Sequence, residues 1–162
     1  MNTRTLCTPD TAEVSREVAG YVRGLAWEAA LTNNQTYRLR LAAEEIATNI
    51  VLHGYHGKPG LLEISGGVEQ GRVWLRIEDE AAPFDPRTHD PGPRLDEGLL
   101  RGRAGGFGLF LALRSLDEFA YENVDGRNRN TLIVRRPRPD QVATDTETDG
   151  GHDGRECRAG RG

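Results

Sequence analysis

With 162 residues, 36% of them hydrophobic and 28% charged, the chain can bury one sizeable core but not two comfortable domains. A formal net charge of −4 excludes a broad basic footprint for nucleic acid, two cysteines exclude a disulfide framework, and no apolar run approaches the roughly 20 residues that cross a bilayer. The sequence reads as that of a cytoplasmic protein with no direct nucleic-acid or membrane contact. Lys58 is the only lysine and Pro59 follows it, so the chain has neither a Walker A loop nor the strand lysine of a protein-kinase fold. Any phosphate must be held by backbone, metal or arginine.

In chain order, Thr8-Pro9 offers a cap and a first helical residue, and Val14, Val18, Tyr21, Val22 and Leu25 recur at helical spacing to about Leu31. Asn33-Asn34 interrupts the pattern. A second helix is predicted from near Thr36 to His53-Gly54, turning Leu39, Ala42, Ala43, Ile46, Ile50 and Val51 toward a core. Residues 62–65 and the alternating 73–78 read as a hairpin across a turn from Gly66-Gly67 to Gly71. Pro86, Pro91, Pro93, Gly92, Gly98 and Gly102 make 86–104 a long loop, of a length usually functional or disordered in a compact domain and commonly a lid. Leu95, Leu99 and Leu100 could form a short helix inside it. A third helix is predicted from the glycine cluster to about Leu116, followed by strand 119–124, a turn at Asp125-Gly126 and strand 131–135. Residues 137–162 lack aromatic side chains and almost all apolar ones, and are expected to form a disordered tail beyond a 1–136 domain.

Three places carry chemistry. Gly105-Gly106-Phe107-Gly108-Leu109-Phe110 joins the long loop to a helix, where exposed N–H groups and the positive dipole end can cradle a phosphate, although glycine also starts helices for structural reasons. Glu45, Asn49 and His53 recur every four residues as a polar stripe, able to hold a hard cation or position a proton, or simply to face solvent. Asp79 ends a strand where irregular chain begins. A carboxylate there can accept a hydrogen bond from an exocyclic amine in an apolar pocket, or can serve only as a turn former.

In this order, Glu45-x-x-x-Asn49 on a helix, Asp79 at a strand end, a Pro/Gly-rich lid and Gly106-Phe107-Gly108 at a helix start resemble the nucleotide-binding boxes of the GHKL ATPase superfamily. That superfamily includes histidine kinases, gyrase-type topoisomerases and certain heat-shock chaperones. Ala43-Glu44-Glu45-Ile46-Ala47-Thr48-Asn49-Ile50-Val51-Leu52-His53-Gly54-Tyr55 is similar to the helix motif of bacterial anti-sigma factor serine kinases. Pro83-Phe84-Asp85-Pro86, the glycine cluster and Leu116-Asp117-Glu118-Phe119-Ala120-Tyr121 resemble later motifs of the same group.

The resemblance implies an α/β two-layer sandwich, with helices on one face of a mostly antiparallel sheet and Mg-ATP between helices and lid. It implies Asn49 as the Mg²⁺ ligand, Glu45 as the base for a substrate serine, and Asp79 as the reader of the adenine amine. Ala81 and Thr131 would line the adenine pocket, while Gly105, Gly106, Phe107 and Gly108 would meet the phosphates and Arg103 neutralise them. The implied function is a partner-switching kinase that inhibits a sigma factor and phosphorylates an anti-anti-sigma antagonist on serine. A homodimer is compatible with it. The alternative is a catalytically inactive protein-binding regulator of the same fold. One departure favours that alternative. The family's Asp-x-Gly is Asp79-Glu80-Ala81 here, and if the third position is left-handed, alanine costs about 1–2 kcal/mol at the adenine pocket.

Overall fold

The computed structural model describes residues 2–7, 10–88 and 107–136, with only the backbone described at Phe107. Residues 89–104 of the lid segment, Arg103 among them, Gly105 and Gly106 of the glycine cluster, and the 137–162 tail lie outside the described residues. Five antiparallel strands form one sheet in the order β1-β2-β3-β5-β4. In sequence they are β1 (Asn2–Cys7), β2 (Leu61–Glu69), β3 (Arg72–Asp79), β4 (Glu118–Val124) and β5 (Arg127–Arg135). Among the described residues three α-helices, α1 (Thr11–Ala29), α2 (Asn33–Asn49) and α3 (Phe107–Ser115), complete the α/β sandwich. α1 lies over β2, α2 over β5 and β3, and α3 packs along α2.

The helix boundaries differ from the sequence reading because their caps were misjudged. Asp10 begins α1 by accepting the Glu13 N–H at 2.7 Å, and Ala30, at φ 52°, ends it. Thr32 and Gln35 then close a reciprocal capping box, so Asn33 and Asn34 start α2 instead of breaking it. α2 does not stop at a glycine cap. Its last turn widens over Ile50–Gly54, where the Tyr55 N–H reaches Ile50 O at 2.8 Å.

The sheet is also longer than expected. β1 was not assigned from sequence because, of its six residues, only Leu6 is buried. Gly66 and Gly67 continue β2, and the turn is at Gln70-Gly71, with Gly71 at φ 87°. A side chain at Gly66 would meet Leu25 Cδ1 at 2.7 Å, and one at Gly67 would meet Trp74 Nε1 at 2.8 Å, so α1 and the indole occupy the space these glycines leave. The β4–β5 turn is Asp125-Gly126, with φ of 53° and 80° as a two-residue hairpin of this hand requires.

Register decides the faces. Val73, Leu75, Ile77 and Asp79 of β3 pair with Val134, Leu132, Asn130 and Asn128 of β5, and these eight face the helices. Apolar at one end, this inner face becomes polar at the other. The opposite face carries ion pairs from Arg127 to Glu63 and from Arg129 to Glu78, with Arg76 stacked on Trp74.

Candidate nucleotide site

At the polar end of the inner face lies a cavity of about 510 Å³, within the range of small-ligand sites. Ile46 of α2, Ile50 of the widened turn after it and Pro83 of the post-β3 loop give it apolar walls, while Asn49, Asp79 and Asn130 reach it with polar groups. His53 and His56 also line it. His53 sits in the widened turn after Asn49, so the stripe predicted as regular α-helix is α-helical only as far as Asn49 and ends in that wider turn.

Asp79 is 1% exposed, a charge withdrawn from water at a strand end. Burial pushes its carboxyl above the usual range, opposed by hydrogen bonds from Asn128 and from the Ala81 N–H. Both bonds converge on Oδ1, at 2.8 Å and 2.9 Å. Among the described residues no donor reaches Oδ2. A ligand amine fits that acceptor, which is the chemistry of an adenine site.

Asn128, missed by the sequence reading, fixes this carboxylate. Its Nδ2 also donates to Ala81 O at 3.1 Å, while its Oδ1 accepts from Tyr121 Oη at 2.7 Å and from Asn123 Nδ2 at 3.0 Å. Tyr55 braces the same loop from the other side, donating to Leu61 O at 2.6 Å and accepting the Glu80 N–H at 2.8 Å. Its ring fills the space at Gly60, where a Cβ would lie 2.4 Å away. The alternation in Asn128-Arg129-Asn130 was the available signal for this floor, had the strand been started at Arg127.

Two sequence expectations need correction. Thr131 does not line the cavity. It pairs across the sheet with Arg76 on the outer face, its Oγ1 3.4 Å from Arg76 Nε, and Asn130, one residue earlier, takes the inner position. Ala81 is not left-handed, since the only positive-φ non-glycine residues among those described are Ala30, His56 and Asp125. It lines the cavity without the anticipated strain. Room for its methyl comes from Gly54, where a Cβ would stand 2.9 Å from Ala81 Cβ.

Glu45 lies apart from the cavity lining, where α3 begins. A Cβ on Gly108 would fall 2.7 Å from Glu45 Oε1, so the glycine lets the first turn of α3 close onto the carboxylate. Burial, and secondarily Glu44, raises the Glu45 carboxyl above its ordinary value. At the other end of α3, Arg38, two turns before Glu45 on α2, donates from Nη1 to Ser115 O at 2.7 Å. α2 therefore holds α3 at both ends.

A helix-backed antiparallel sheet with a buried carboxylate at a strand end, an asparagine on the facing helix and a glycine-started third helix defines a GHKL-type nucleotide-binding domain. Residues 8–136 match the model of the histidine kinase-like ATPase domain, and the chain belongs to that family. It is similar to the serine/threonine-protein kinase BtrW of Bordetella bronchiseptica, with 32% identity over 130 residues, 76% of this chain and 91% of that protein. The serine-protein kinase RsbW of Bacillus subtilis is 30% identical over 118 residues, 68% of this chain and 74% of the relative. An anti-sigma F factor of Thermoanaerobacter is 25% identical over 95 residues, 59% and 64% of the two chains. Membership of this ATPase family implies ATP as the nucleotide. Among the described residues no helix is long and apolar enough to cross a membrane.

Proposed function

We propose that this protein is an anti-sigma factor and protein serine kinase, which binds Mg-ATP in the cavity and transfers the γ-phosphoryl group to a serine on an antagonist protein. The observation that carries the reading is Asp79, buried at the cavity floor with Oδ1 saturated by Asn128 and Ala81 and Oδ2 open to an adenine amine. Asn49 would hold Mg²⁺ through its amide oxygen, and the ion would neutralise phosphate charge during transfer. Glu45 accepts the serine hydroxyl proton as the serine oxygen bonds to the γ-phosphorus and the bond to the β-phosphate oxygen breaks. Its raised pKa brings the base closer to working pH and strengthens it. Gly105, Gly106 and Arg103 belong to the phosphate end of this proposal, and a homodimer is compatible with it.

Phosphorylation of the antagonist would add charge to a packed surface and release it, freeing this protein to hold its sigma factor. The alternative, a catalytically inactive binding module, drew on Ala81, and an alanine outside the left-handed region no longer favours it. The test combines the protein with γ-labelled ATP, Mg²⁺ and candidate antagonists and looks for phosphoserine, with calorimetry for nucleotide binding. Absence of nucleotide binding would overturn the kinase reading and leave the binding module.

A further inference from the structure

Two asparagines floor the cavity from one strand, and the structure treats them differently. Asn128 is saturated, its amide engaged with Asp79, Ala81, Tyr121 and Asn123. Asn130 is 2% exposed and lines the cavity, yet its Oδ1 is buried without a hydrogen-bond partner. Register explains the difference. Across the sheet Asn130 faces Ile77, which has no polar group, and Tyr121, whose hydroxyl is committed to Asn128. A buried amide with no protein partner is costly to keep, and costs less where a ligand completes it.

We propose that Asn130 is a specificity-determining residue, whose Oδ1 is the second acceptor for the exocyclic amine of the nucleobase, beside Asp79. This rests on the ATP-site reading above. An amine has two protons, and Asp79 and Asn130 provide two buried acceptors on neighbouring strands. The terminal torsion of asparagine is soft, so the amide can turn toward the base without disturbing β5. Its Nδ2 can then donate to the adjoining ring nitrogen, as an amide pairs with the donor–acceptor edge of adenine.

The test uses Asn130→Val, which suits a strand and loses the amide but is one heavy atom smaller, and Asn130→Thr, which has the shape of valine with a small acceptor. Binding of ATP and of purine riboside triphosphate, which lacks the amine, is measured by calorimetry, and melting is followed without nucleotide. The expected result is about tenfold weaker ATP binding in Asn130→Val, with a smaller loss for the amine-free analogue, so that the preference between them shrinks. Asn130→Thr should fall between Asn130→Val and the parent protein. Without nucleotide, Asn130→Val should melt at or above the parent temperature, because an orphaned polar group has gone. A lower melting temperature, or equal losses for the two nucleotides, would overturn the proposal in favour of a structural asparagine. Unchanged ATP affinity in either variant would overturn it as well. If the parent protein binds neither nucleotide, the ATP-site reading itself fails, an outcome separate from these.

Discussion

Gly108→Ala separates the stability of α3 from the chemistry beside it. Alanine is the better helix residue by up to about 1 kcal/mol, so helix propensity alone predicts a slightly more stable protein. The new Cβ would stand 2.7 Å from Glu45 Oε1 and 2.9 Å from Oε2. An ordinary contact begins near 3.4 Å, so the carboxylate must retreat by about 0.7 Å. Because the obstacle is the end of a flexible side chain, the fold adapts and the displacement falls on Glu45. Misplacing a reacting group by about 1 Å costs about 10²-fold, so single-turnover phosphoryl transfer should drop by about 10- to 10²-fold, with the melting temperature unchanged or raised. The assay is rapid-quench transfer from saturating labelled ATP to an antagonist serine, beside calorimetric ATP affinity and a thermal melt. The same substitution should cost almost nothing further in a Glu45→Ala background, because it acts through that carboxylate. An unchanged transfer rate in folded Gly108→Ala, or fully additive losses in the double variant, would refute this reasoning.

Three further outcomes are expected. Asp79→Asn should fold, since an amide oxygen can still accept from Ala81 and Asn128, but it should bind ATP about 10- to 10²-fold more weakly in calorimetry; unchanged affinity would remove Asp79 from the site. Gly54→Ala should destabilise by about 1–3 kcal/mol through its clash with the Ala81 methyl, and Ala81→Gly should restore much of that loss while leaving nucleotide affinity no tighter; chemical denaturation showing additive effects would disprove the contact. For Glu45, the folded pKa is raised, so the ionised carboxylate opposes folding above it, and this penalty fades as pH falls toward and below the folded value. Glu45→Gln should therefore melt at or above the parent temperature at pH 7, with the gap closing as pH drops toward the carboxylate range, and a lower melting temperature at pH 7 would contradict it.

Sequence alone determined what depends on local order. The helical spacing of Val14, Val18 and Val22, the alternation ending at Asp79, and the Glu45–Asn49 spacing are properties of neighbouring residues, and a single strand or helix displays them without its partners. The helix caps were local too, but Thr32 with Gln35 was overlooked beside the louder Asn33-Asn34. Tertiary structure alone decided which side of β5 faces the cavity. Leu132, Ile133 and Val134 are all apolar and all buried, the first and third under the helices and Ile133 beside Trp74, so no alternation marks the faces. Only pairing with β3 places Asn128 and Asn130 inward and Thr131 outward, because a strand's side-chain period of two turns a one-residue shift into a change of face. Gly54 against Ala81 and Gly108 against Glu45 were equally hidden. Each is an absence of side chain in one segment that makes room for a group in another, and such complementarity exists only once the two segments are brought together.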